Sequence, residues 1–212
     1  MVKNIEARST SKGDAKEEIK QGVADRERDK QETAEREAWE WAEAQKKKLQ
    51  SCDKFYEQYD HKIIDDIYEW YAKAMVRRED RKPLSKESFI GHFFEGGSAE
   101  PCYMYGDTDR GFLLGVMDEG VFVGTHFAPK TIRRGVELMR DLGNNGEVPA
   151  LLAITEDLAK TLKKMPEWKV EDFEIPASFM GQEVKKKIAH NRNPKIQEYM
   201  EKKAAEYLAG HN

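Results

Sequence analysis

Apolar residues are scarce in this chain. They make up 39% of its 212 residues against 36% charged, and mean hydropathy is -0.84. A chain this polar cannot bury a core along its whole length, so part of it is expected to stand outside one. No apolar run approaches the roughly 20 residues of a membrane-spanning helix, which excludes that class. The opening stretch MVKNIEARSTSKGD lacks an apolar h-region, so the expectation is a chain without a secretory leader, made in the cytosol. Cysteine is limited to Cys52 and Cys102, at no metal-ligand or redox spacing, so the expectation is two reduced thiols and no disulfide framework. An excess of one charge is also missing. The 36 cations and 40 anions are well mixed and sum to -4, so any nucleic-acid contact has to be local.

What is present falls into three zones: 1-50, a charged helical arm; 51-180, the core; and 181-212, a basic linker with a C-terminal helix. In the arm, Glu, Lys, Arg, Gln and Ala dominate, all good helix formers. Glu27 with Lys30, Glu32 with Arg36 and Glu43 with Lys47 have the spacing of helical neighbours. Its few apolar residues are Ile19, Val23, Trp39 and Trp41. A helix polar all round is solvent-bridging or held by a partner, and tryptophan is enriched where chains meet, so Trp39 and Trp41 are candidate partner contacts.

The core begins with DKFYEQYDHKIIDDIYEWYAKAM. Tyr56, Tyr59, Ile63, Ile67, Tyr71 and Met75 recur at steps of three and four, which predicts one amphipathic helix. Ser85 is the expected N-cap of a short helix reaching Phe94. The period then changes: PCYMYGD, GFLLGVMD and VFVGTHFA read as strands, with Asp118-Glu119-Gly120 as a tight hairpin loop pairing 111–117 with 121–127. A helix over 131–142 follows, with Ile132, Val136, Met139 and Leu142 facing inward. VPALLAI is a buried strand, Thr155 caps a further helix, and WKVEDFEI is a half-buried strand with a phase slip that a bulge absorbs. The last zone ends in an amphipathic helix with Ile196, Met200, Ala204, Tyr207 and Leu208 on one side and Gly210 as its stop; Met200, Tyr207 and Leu208 are candidate partner contacts.

This order, at THFAPKTIRRGVELM followed by PALLAITEDLAKTLKKMPEWK, resembles the GNAT (Gcn5-related N-acetyltransferase) superfamily, and most of all the divergent members encoded by tailed bacteriophages. The resemblance covers roughly residues 55 to 180. It implies an α+β fold, a GNAT-like mixed sheet flanked by helices, carrying the charged arm and the C-terminal helix as additions. It also implies that the loop Ala128 to Thr131 and the following helix N-terminus hold the pyrophosphate of acetyl-coenzyme A, with Lys130, Thr131, Arg133 and Arg134 as candidate cofactor-binding residues. A helix N-terminus offers unpaired N–H donors to an anion in any case. The family loop follows Gln/Arg-x-x-Gly-x-Gly/Ala. Aligned on Gly135, this chain has Ile132 and Glu137 at the outer places, and Pro129 removes one donor. The loop is therefore read as degenerate, with no cofactor expected unless the chain is an active enzyme using acetyl-coenzyme A.

Acyl transfer to an amine needs a base and an acid. Glu119, His126, Tyr103 and Tyr105 are candidates, fixed by no motif, so the catalytic residues stay unassigned. His92 with Glu95 reads as a solvated helix face, and Asp65, Asp66 and Glu69 make an acidic face but no metal site. Lys185, Lys186 and Lys187, with Arg192 and Lys195, form a basic patch without interleaved aromatics, read first as a solvated linker and second as a nucleic-acid contact. Three functions remain. The first is a structural or interaction component of a larger assembly, a phage virion by the resemblance, with the arm and the tail helix meeting other subunits. The second is an acyl-coenzyme A-dependent N-acyltransferase acting on an amine. The third is an accessory DNA-binding protein. The resemblance implies synthesis in the host cytoplasm and a place in the virion under the first.

Overall fold

The computed structural model describes residues 12–59, 61–76, 82–179 and 182–209. The chain divides into two compact units, Met1–Trp41 and Ala42–Asn212. Helix α1 (Lys12–Lys46) makes up the described part of the first and supplies the opening residues of the second. Residues 23–40 are all exposed. The charge pattern acts as its spacing suggests: Arg28 pairs with Asp25 at 3.2 Å and Glu32 at 3.9 Å, and Gln31 bonds Glu35 at 3.0 Å. Contacts of this kind are worth a few tenths of a kcal/mol each, so α1 owes its helicity to propensity and local pairs.

The second unit is α+β. In chain order it runs β1 (Gln50–Ser51), α2 (Cys52–Gln58), α3 (His61–Val76), α4 (Lys86–Phe93), β2 (Cys102–Asp107), β3 (Gly111–Asp118), β4 (Val121–Pro129), α5 (Ile132–Asn144), β5 (Ala150–Ile154), α6 (Glu156–Leu162), β6 (Trp168–Phe179), β7 (Gln182–Asn191) and α7 (Pro194–Ala209). Among the described residues seven strands form one mixed sheet in the order β1-β2-β3-β4-β5-β7-β6. Every neighbouring pair is antiparallel except β4 and β5, which are parallel.

The hairpin between β3 and β4 closes through Glu119-Gly120, with φ of 48° and 81°; positive φ at both central residues is the turn that matches the twist of paired strands. Ser85 caps α4, its hydroxyl accepting from the Ser88 N–H at 3.1 Å. The phase slip in β6 is an irregularity between Val170 and Glu174.

Three expectations need correction. The helix predicted across Tyr56 to Met75 is two, because Tyr59 is extended (φ -113°, ψ 153°) and ends α2. Residues 182–191, read as a linker, are strand β7 inside the sheet. Thr155 sits at the N-cap of α6, but its hydroxyl makes no capping bond.

The two faces of the sheet carry separate cores. On one face Met104, Phe112 and Leu114 meet Phe55, Ile64, Ile67, Tyr71 and Phe89 from α2, α3 and α4. Phe89 is fully buried, its ring centroid 4.7 Å from that of Tyr71 and 5.1 Å from that of Phe93. The alternation of strand residues sends Leu113 and Phe122 to the other face, against Met139 and Leu142 of α5 and Ala159 and Leu162 of α6. Trp168 closes that core, its indole N–H donating to the Met139 carbonyl at 2.9 Å. Helix α7 seats Ile196, with Tyr199 and Met200 beside it, over Val121, Leu151 and Ile188. Met200, taken as a partner contact, therefore packs against the chain's own core.

Candidate functional site

Strands β4 and β5 stay paired only from Phe122 to Gly124, facing Ala150 to Leu152. Beyond Gly124, β4 runs on through Thr125 to Pro129 without β5 beside it, and the outer end of β5 turns to β7. The sheet therefore opens at the carboxyl ends of its one parallel pair, the place where α/β sheets bind ligands. Helix α5 follows β4 and helix α6 follows β5, so both begin at this opening. Thr131 is the N-cap of α5, its hydroxyl accepting from the Arg134 N–H at 3.2 Å. The N–H groups of Ile132 and Arg133, in the first turn, have no acceptor within the helix.

A cavity of about 330 Å³ fills the opening, a size within the range of small-ligand sites. Phe127 of β4, Val136 and Met139 of α5, and Leu158 and Met165 from α6 and its exit line it, and Trp70 of α3 reaches it from the other side of the sheet. Lys73, Lys130, Thr131, Asp157 and Thr161 supply its polar lining. Lys130 Nζ lies 3.2 Å from the Thr108 carbonyl oxygen and 5.7 Å from the Trp70 ring centroid, so a cation is held over an aromatic wall. Lys73 pairs with Glu69 at 3.0 Å and Asp157 with Lys160 at 3.4 Å.

Ile132 is 67% exposed at the mouth of this cavity, not inward as its spacing suggested. Gly135 takes the buried place, because a Cβ there would sit 2.7 Å from Pro129 Cβ and 2.8 Å from Phe127 Cζ. The first turn of α5 is thus pressed onto the end of β4, and Ile132 rotates outward.

Of the four candidate cofactor contacts, Lys130 and Thr131 line the cavity; Arg133 and Arg134 do not. Arg133 Nε lies 3.2 Å from one carboxylate oxygen of Glu137 and Arg134 Nη1 2.8 Å from the other. Those two arginines hold the Glu137 carboxyl below its ordinary range, Arg134 first, and the acid offsets their charge in turn.

The other candidates disperse. His126, on β4 beside Phe127, faces the opposite side of the sheet. It is 8% exposed, 4.8 Å from the Phe93 ring and 5.7 Å from the Tyr71 ring between centroids, with Nδ1 2.9 Å from the Thr125 hydroxyl. Glu119 pairs with Lys202 at 2.8 Å and Lys203 at 3.3 Å, and Tyr105 donates to Asp141 at 3.0 Å. Tyr103 is half-buried, and burial pushes its phenol above the ordinary range. Glu95 accepts from Tyr56 at 3.0 Å, and burial lowers the pKa of His92. Asp65 pairs with Lys86 at 2.8 Å, and no cluster fit for a metal ion occurs among the described residues.

In the first unit Trp39 is 66% exposed and Trp41 half-buried. Lys187 is half-buried and pairs with Glu156 at 3.0 Å. The side chains of Lys185, Lys186, Tyr207 and Leu208 lie outside the described residues. Among the described residues no helix is long and apolar enough to cross a membrane.

Chemically, the cavity suits an extended, mostly apolar group whose anionic end stays at the mouth, near Lys130 and the first turn of α5. Trp70, Phe127, Met139, Leu158 and Met165 were not singled out as site residues, since their spacing is that of ordinary core positions. Comparisons with protein-family models, with curated proteins and with solved structures find no match to this chain.

Proposed function

We propose that the second unit is a GNAT-like domain that binds an acyl-coenzyme A, the acyl-pantetheine arm in the cavity and the phosphates at its mouth, with N-acyl transfer to an amine as its reaction class. One observation carries this reading: the cavity lies where parallel β4 and β5 part, between the first turns of α5 and α6. The lining fits the ligand, since a pantetheine arm is long, flexible and weakly polar while the diphosphate needs donors and cations. Lys130 and the first-turn N–H groups of α5 supply them. Glu137 weakens the field but does not line the cavity, so the loop departures lower phosphate affinity without closing the site.

Calorimetric titration of the full chain with acetyl-coenzyme A tests this. Binding is expected below about 1 mM, the upper end of ordinary substrate constants. Ile132→Glu, an exposed change at the mouth, is expected to weaken it about tenfold or more through charge repulsion with the phosphates. Absence of binding at millimolar ligand would rule the proposal out.

A second reading rests on α1. Trp39 stands exposed on a helix whose residues 23–40 are exposed throughout, which supports an interaction component of a larger assembly, a phage particle by the resemblance. Light scattering of the full chain and of a chain starting at Ala42 tests it. Larger assemblies formed by the full chain alone, and lost in Trp39→Ala, are the expected result; two equal monomers would count against it.

A further inference from the structure

Cys52 and Cys102 lie far apart in sequence, yet the sheet edge sets them opposite one another. The antiparallel ladder of β1 on β2 pairs Gln50 with Met104 and Ser51 with Tyr103, and because Ser51 is extended (φ -70°, ψ 134°) the chain enters α2 at Cys52 still along the line of β1, on the side of Cys102. Facing residues on antiparallel strands, here Ser51 and Tyr103, have Cα atoms about 4.5–5.5 Å apart, and Cys52 and Cys102 lie one residue on from that pair. A disulfide bridges Cα separations of about 4.4–6.8 Å. Both side chains also belong to one core cluster, beside Phe55 and Met104, with relative exposures of 0% and 6%. A third observation places them within electrostatic reach: burial raises the pKa of the Cys52 thiol, and Cys102 raises it further. Both are thiols in this structure.

We propose that Cys52 and Cys102 are a modification site, forming a reversible disulfide across the β1–β2 edge by exchange with a low-molecular-weight disulfide of the glutathione class. The Cys102 thiolate attacks one sulfur of glutathione disulfide, breaking its S–S bond and releasing one glutathione. The Cys52 thiolate then attacks the Cys102 sulfur of the mixed disulfide and releases the second. The two thiol protons pass to the two glutathiones; the protein is oxidised by two electrons and glutathione disulfide is reduced by two. Cys102 reacts first because it is the less enclosed; its Sγ lies 3.8 Å from the carbonyl oxygens of His92 and Glu100, and burial, which raises its thiol pKa, is opposed by a hydrogen bond with the Ser98 side chain that favours the thiolate. Exchange proceeds through opening of β1, a two-residue edge strand of the kind that opens most readily. The crosslink closes the loop carrying α2, α3 and α4 and ties the start of α2 to β2.

The test is mass spectrometry of the full chain after incubation with glutathione disulfide, both in native buffer and during refolding from urea. The expected product has lost two hydrogens and, cut with trypsin without reduction, yields peptide 49–54 joined to peptide 87–110. Its thermal midpoint rises by about 10 °C, as a crosslink closing a long loop gives in a chain of this size, and dithiothreitol reverses both changes. Cys52→Ser removes the joined peptide and leaves a single glutathione adduct on Cys102. Two intact thiols after both treatments, or glutathione adducts on both cysteines with no joined peptide, would overturn the proposal.

Discussion

Asn191 is fully buried and satisfies three backbone groups at once. Its side-chain carbonyl accepts from the Ala150 N–H at 3.1 Å, and its amide donates to the carbonyls of Val148 at 2.7 Å and Leu142 at 3.3 Å. These bonds join the end of β7 to the start of β5 and the end of α5, so they hold the frame in which the cavity sits. Asn191→Leu leaves all three groups without partners in a dry interior, at about 1–3 kcal/mol each. A loss of about 3 kcal/mol or more is expected from urea denaturation; a loss under 1 kcal/mol would contradict this role. Phe89→Ala, which removes a fully buried ring, is expected to cost about 3–5 kcal/mol by the same measurement. Glu137 poses an electrostatic question. If it offsets Arg133 and Arg134 as the distances indicate, Glu137→Gln strengthens acetyl-coenzyme A binding severalfold at low salt, and the gain fades in about 0.5 M salt. Single residues were unevenly legible. Lys130 ahead of the helix follows from residue type and position, whereas the outward turn of Ile132 depends on how closely Gly135 approaches Pro129, which periodicity does not encode.

Helix α7 is clamped to the β3–β4 hairpin by charge as well as by Ile196. Tyr199 donates to Asp118 at 2.7 Å, Lys203 pairs with Asp118 at 3.1 Å, and Lys202 and Lys203 pair with Glu119. Lys202 and then Lys203 hold the Glu119 carboxyl below its ordinary range, against an opposing effect of burial. A depressed carboxylate stabilises the fold above its unfolded pKa, and that contribution is lost as pH falls through the folded one. Hydrogen exchange of residues 196–206 is therefore expected to quicken relative to the β3 core as pH drops below the ordinary carboxylate range, after correction for intrinsic rates. Equal protection across that range would contradict the clamp. The hairpin, β4, α5, β5, α6 and the bulged β6 were legible because their apolar periods and turn residues agree. The break at Tyr59 was not, since the apolar stripe runs unchanged across it. Strand β7 was hidden for a physical reason. Only Lys187 to His190 pair with β5, while Gln182 to Lys186 pair with β6 alone, and that outer ribbon needs no apolar signature.

For the molecule as a whole, the two units, Met1–Trp41 and Ala42–Asn212, carry different proposals. A chain starting at Trp41 is expected to keep the thermal midpoint of the full chain within about 2 °C, since residues 23–40 are exposed throughout. Starting near Lys54 would instead remove buried Gln45 and Cys52 together with β1, and a lower midpoint is expected. The α+β class was legible from composition and period. The cavity was not, because it arises where two strands part, and parting is a property of the sheet as a unit. The most direct test of the account follows the backbone amides of the full chain by NMR while acetyl-coenzyme A is added. Shifts concentrated at Phe127, Thr131 to Arg133, Val136 and Leu158 are the expected result. No shifts at millimolar ligand, or shifts confined to residues away from the β4–β5 opening, would contradict it.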